Sequence, residues 1–206
     1  MSSAPAPPTA APGPVGGRPR STDALEITRV SLDLFERQGF DATTVDAIAK
    51  AVGISRRTLF RYFPSKNDIV WGDFSGQVAR FRASLAAAPA DEPTMQVLRR
   101  CVVAFNDYGP AAEPELRTRM RLITTVPALQ GHAMLRHQEW CDAIAAFVAG
   151  RRGSAPGDLV PTVVAQAALG VSTATFAVWI ATGGDLLSLL DDAFGLLADG
   201  FADPAD

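Results

Sequence analysis

The sequence predicts an all-α fold of about nine helices. Three observations carry that expectation. Apolar residues recur three and four positions apart along most of the chain, glycine and proline clusters separate these segments, and no stretch alternates apolar and polar residues as a half-buried strand does. The chain has 206 residues, 48% of them hydrophobic, enough for one or two small domains.

Residues 1–22 are expected to form a disordered extension, since the first 17 carry no charged side chain and are rich in Pro, Ala, Gly and Ser. Arg18 and Arg20 flank Pro19, which suits either an arm laid in a DNA minor groove or a solvated tail. Asp23–Gln38 places Leu25, Thr28, Leu32 and Phe35 at helical spacing, with Gly39 to stop the helix and Phe40 to fold back on it. In the next helix Thr44 is the cap, and Val45, Ile48, Ala49 and Val52 form the apolar face. Gly53 follows where a tight turn needs positive φ. Ser55 then caps a short helix, Arg56–Tyr62, with three arginines in seven residues. A helix that opens Ser-Arg-Arg-Thr after a glycine turn suits a recognition helix, whose first residues reach base edges and whose charge meets phosphate.

Ser65 to Asp68 is a start signal for one long fourth helix carrying Ile69, Val70, Phe74, Val78, Phe81 and Leu85 up to Ala86. Five further helices are expected over 94–108, 114–125, 129–148, 159–182 and 186–201. No run is read as long enough and apolar enough to cross a membrane, and the N-terminus lacks a secretory pattern. The two cysteines, Cys101 and Cys141, are read as buried, reduced thiols. No metal-ligand spacing is present, and no nucleophile, zinc or phosphate-loop motif supports an enzyme; no cofactor is expected.

Net charge is −3, which by itself disfavours a nucleic-acid binder, but its distribution reverses the argument. Through Lys66 there are nine Arg or Lys and six Asp or Glu; beyond it, ten and sixteen. A basic unit joined to an acidic body is the footprint of a small DNA-binding domain.

The stretch TTVDAIAKAVGISRRTLFRYFPSKNDI, within a match over about residues 23–71, resembles the N-terminal domain of the TetR family of transcriptional regulators. RTLFRYFPSKNDIVWGDF is similar to the subgroup associated with mycofactocin gene clusters. The resemblance implies a three-helix helix-turn-helix DNA-binding domain over 23–66 and a ligand-binding and dimerisation domain over 67–206. It assigns base contact to Arg56 and Arg57, and base or phosphate contact to Thr58. Thr44, Tyr62 and Lys66 would contact phosphate. Arg61 faces phosphate or solvent. Phe60 stands where many members have tyrosine, so it can meet a thymine methyl group but cannot donate a hydrogen bond.

The resemblance also implies an effector cavity. Its candidate lining is Phe74, Phe81, Phe105, Tyr108, Met120, Ile123, Met134, His137, Trp140, Ile144, Phe176 and Trp179, although aromatic and Met residues at helical spacing more often form plain core. An apolar lining implies a hydrophobic or amphipathic effector, and the subgroup implies a long-chain acyl-CoA. Arg117, Arg119, Arg121 and Arg136 are candidates to face its anionic head or solvent, and His132 to bond the ligand or the protein. The last two helices expose enough apolar surface to imply a homodimer. The implied protein is a cytoplasmic, effector-released repressor of a palindromic operator. The alternatives are an activator of the same fold and a helical interaction protein without operator binding.

Overall fold

The computed structural model describes residues 23–200; the expectations for residues 1–22, including Arg18 and Arg20, and for Phe201 lie outside these. Among the described residues there are ten α-helices, one 3-10 turn and no strand. In order they are α1 (Ala24–Gln38), α2 (Val45–Val52), α3 (Arg56–Tyr62), α4 (Lys66–Trp71), α5 (Phe74–Ala86) and α6 (Thr94–Phe105). After a 3-10 turn (Pro110–Ala112) come α7 (Glu113–Thr125), α8 (Pro127–Arg152), α9 (Leu159–Thr182) and α10 (Leu186–Ala198).

The tenth helix arises because the expected long fourth helix is two. Gly72, at φ +60°, ends α4, and the Asp73 carboxylate caps α5 by accepting from the Gly76 amide. Ile69, Val70, Phe74, Val78 and Phe81 keep helical phase across the break, so periodicity hides it, although the Gly-Asp pair is a stop and a start. Pro127 falls at the expected break between α7 and α8, and it opens α8 itself two residues before the expected start, where a missing N–H costs nothing. Leu25, assigned to the buried face of α1, is 76% exposed; Ile27, Thr28, Ser31, Leu32 and Phe35 are buried instead.

Two hydrophobic clusters organise the chain. In the first, α1, α2 and α3 pack Ile27, Leu32, Phe35, Ile48, Leu59 and Phe63 together. This core does not close at Lys66. It continues through Ile69, Val70 and Trp71 of α4 and takes in Ile123, Leu129 and Ala133 at the α7–α8 junction. The second cluster joins α5 through α10 around Trp140, Ile144, Trp179 and Phe194. α4 therefore belongs to the N-terminal unit while touching α7 and α8 of the other.

α9 corrects the reading that no run reaches membrane length. It has 24 residues, mean hydropathy reaches 1.7 in its best window, and 28% of that window is buried. It packs on α8 and α10, but Leu159, Val163, Gly170, Ala174, Ala177 and Val178 form an outward stripe.

Candidate DNA-binding helices and effector cavity

The α2–α3 pair is built by caps. Thr44 Oγ1 accepts from the Ala47 amide at 3.1 Å, and Ser55 Oγ accepts from Thr58 at 3.0 Å. Gly53 adopts the left-handed conformation at φ +76°, and its amide closes α2 while Ile54 N donates to Ala49 O. This bonding turns the chain sharply and leaves the outer face of α3 to solvent. Arg56, Arg57, Phe60, Arg61 and Tyr62 are exposed there, and Leu59 is buried beneath. Arg56 lies 3.4 Å from Asp46 and stands over the Phe60 ring, while Arg61 stands over Tyr62. Such exposed contacts are weak and can exchange for phosphate or a base edge.

Two sequence-assigned groups are partly engaged within the protein. The Thr58 hydroxyl bonds Ser55 Oγ at 2.8 Å. Lys66 Nζ donates to the Phe40 and Thr43 carbonyls at 2.8 and 3.2 Å and sits 4.2 Å from the Phe40 ring centroid. Lys66 thus ties the start of α4 to the α1–α2 loop.

Asp68 links the two units. Its carboxylate accepts from Ser65 Oγ at 2.6 Å and from Arg136 Nη2 of α8 at 2.7 Å, and His132 Nε2 lies 3.0 Å away. Burial pushes the Asp68 carboxyl up, but the Ser65 hydroxyl, the Arg136 guanidinium and His132 outweigh it and hold the group below the usual range. Arg136 and His132 therefore face this carboxylate, and Arg121 pairs with Glu36. Arg117 covers the Trp179 ring and bonds its carbonyl.

Beside this link lies an aromatic-walled cavity of about 100 Å³. Of the candidate lining residues, Phe74, Phe105, Tyr108, Met120, Ile123, His137, Trp140 and Phe176 line it. Phe81 stacks flat on Trp140 from behind, and Ile144 and Trp179 are in the core. Met134 is 74% exposed and does not contribute. On the long α8, the residues three and six places further on, His137 and Trp140, take the cavity face. Arg119, a candidate for the anionic head, also lines the cavity, and sequence reasoning missed Trp71, Gln77, Asn106, Leu116, Leu169 and Thr173. The Trp71-Gly72 helix end was the available signal for the first of these.

Burial lowers the His137 pKa, so its imidazole is neutral near neutral pH. Burial raises the Tyr108 phenol, whose hydroxyl donates to Gln77 Oε1 at 3.1 Å. Tyr108, Gln77, Leu116, Trp71 and Arg119 also border a cleft of about 600 Å³ between α1 and α7. Both thiols are buried, and burial pushes Cys141 up to about 11, as inert structural cysteines require.

A capped helix-turn-helix thus stands on α4, and an apolar cavity lies at the other end of α4. Residues 27–70 match the family of bacterial regulatory proteins of the TetR type, and residues 92–202 match the MftR C-terminal domain. The chain belongs to the TetR family. It is 40% identical over 164 residues, 80% of this chain and 83% of the other, to a Mycobacterium tuberculosis protein named as the mycofactocin biosynthesis transcriptional regulator MftR. It is 32% identical over 136 residues, 62% of this chain and 59% of the other, to the regulator TcmR of Streptomyces glaucescens. Among solved structures, FadR of Thermus thermophilus, a TetR family repressor in complex with lauroyl-CoA, superposes with a TM-score of 0.60 at 22% identity. That match covers 89% of this chain and 97% of the other. FadR of Bacillus subtilis, in complex with stearoyl-CoA, gives 0.62 at 17% identity over 86% and 99%. The family and these relatives are transcriptional regulators rather than enzymes.

Proposed function

We propose that this TetR family regulator is a cytoplasmic homodimeric repressor whose α3 helices read a near-palindromic operator, and that a long-chain acyl-CoA releases it. Arg56 and Arg57 contact base edges. Tyr62, Arg61, Thr44 and the third N–H of Lys66 meet phosphate, with Thr58 beside them. The dimer forms through the outward stripe of α9 together with α10. Pairing these helices across a two-fold axis makes a four-helix interface and sets the recognition helices about 34–36 Å apart.

The observation that carries the effector reading is the placement of Trp71, which is buried in the N-terminal core and also walls the cavity. The volume decides how a ligand acts. An apolar cavity of about 150 Å³ accepts one benzene ring, so a cavity of about 100 Å³ takes only a few carbons of a long chain. Entry of the rest must push Tyr108 and Gln77 aside and spread α4 and α5 from α7 and α8. An effector that fits only the spread form shifts the equilibrium by its differential affinity and moves α4, with α3 behind it. The bound acyl-CoA of the two FadR neighbours supports the ligand class. The test is operator affinity by fluorescence anisotropy on DNA recovered with the purified protein. Palmitoyl-CoA should weaken binding, and unchanged affinity at saturation would defeat the effector assignment.

A further inference from the structure

Buried polar atoms in folded proteins find partners in the great majority of cases, so exceptions that cluster are informative. Among the described residues, five buried side-chain polar atoms have no hydrogen-bond partner in the protein once His132 Nε2, which faces Asp68, is set aside. Three of these are N–H donors on cavity-lining residues: Trp71 Nε1, Trp140 Nε1 and Arg119 Nε. All three donate and none accepts. Arg119 and Trp71 also border the α1–α7 cleft, so they stand at the junction between the apolar cavity and its outlet. Gly72, at φ +60°, lies at that junction, in reach of Thr28 Oγ1 and Arg119 Nη2.

We infer that the ligand of this cavity presents an acceptor-only acyl oxygen to Arg119 and Trp71, and that the thioester carbonyl of an acyl chain is that group. This rests on the acyl effector proposed above. The charge balance selects a carbonyl over a free carboxylate. Arg119 already donates through Nη2 to Glu115 at 2.7 Å, which neutralises it, while its Nε–H remains without a partner. A carbonyl satisfies the donors without adding charge. The hydrocarbon chain then runs inward past Phe74, Phe105 and Phe176, and the thioester marks the boundary between dry cavity and wet cleft.

The experiment is a binding cycle on the full-length protein, read by tryptophan fluorescence. Its probes are palmitoyl-CoA, palmitate and S-hexadecyl-CoA, a thioether without the carbonyl oxygen. Its proteins are the wild type, Arg119→Met and Trp71→Phe, the last keeping an aromatic side chain while removing the indole N–H and part of its bulk, a loss of packing that the thioether probe senses equally. Arg119→Met should weaken palmitoyl-CoA by about tenfold or more and leave S-hexadecyl-CoA unchanged, and Trp71→Phe should do the same more weakly. Operator affinity and melting temperature of the unliganded variants show that they are folded. If Arg119→Met misfolds, the Trp71→Phe arm and the wild-type preference for palmitoyl-CoA over the thioether decide. Equal losses on both CoA probes, or no loss on either, overturn the inference while the acyl effector stands. A loss confined to palmitate assigns the donors to a free carboxylate and overturns the thioester. Failure of the wild type to bind any probe removes the acyl effector itself and the inference with it.

Discussion

On the proposed function, DNA recognition turns on Arg56 and Arg57. Both are exposed, so replacing them removes no packing. A guanidinium bidentate to guanine contributes about 1–3 kcal/mol of base discrimination. The double substitution to alanine should therefore abolish sequence preference in anisotropy titrations, while the melting temperature and dimer mass stay as in the wild type. His137 makes a second prediction. Its pKa lies below the ordinary 6.5 in the folded protein because burial disfavours the charged form. Its contribution to stability is thus complete above pH 6.5 and is lost as pH falls through the lower folded value. Denaturant titrations over that window should show a falling stability that His137→Phe flattens. These residues were legible to different degrees. The arginines stand directly behind a capping serine. His137 is one of several polar residues on a helix whose inward face cannot be assigned from its own sequence.

The element that matters most is α4, only six residues long (Lys66–Trp71). Its first turn is held by Lys66 on the α1–α2 loop and by the Ser65 cap, and Arg136 grips Asp68 from α8. Arg136→Ala would leave a buried carboxylate without its guanidinium donor, a loss of about 1–3 kcal/mol. The melting temperature should fall, and operator affinity should respond less to effector, because α8 no longer pulls α4. Acid should mimic this. The lowered Asp68 pKa stabilises the fold above the ordinary value of 3.8 and ceases to do so as pH drops through the folded value. The α2–α3 turn is the counter-example of an element read fully from sequence. Gly53 sits at φ +76°, and Gly53→Val should cost about 1–2 kcal/mol or more through backbone strain alone, measured as a lower melting temperature.

At the scale of the whole molecule, the outward stripe of α9 is an apolar face without a partner helix, with Leu159, Val163 and Val178 exposed. Ala174→Arg, aimed at its centre, should yield a folded monomer by light scattering. Operator affinity should collapse, since one recognition helix then binds without its two-fold partner. Salt provides the complementary check. Wild-type affinity should fall linearly with log salt, and each lost phosphate contact should reduce the slope by about one.

The sequence by itself determined the helix-turn-helix, because caps, a left-handed glycine and a local charge cluster act within a few residues of each other. It determined the helical class and most helix bounds for the same reason. Only the tertiary structure decided which aromatic residues wall the cavity and which fill the core, that Met134 faces solvent, and that the N-terminal core recruits Ile123, Leu129 and Ala133 from far along the chain. Those outcomes depend on how helices cross, and a periodic apolar pattern says which residues avoid water without saying what they will meet.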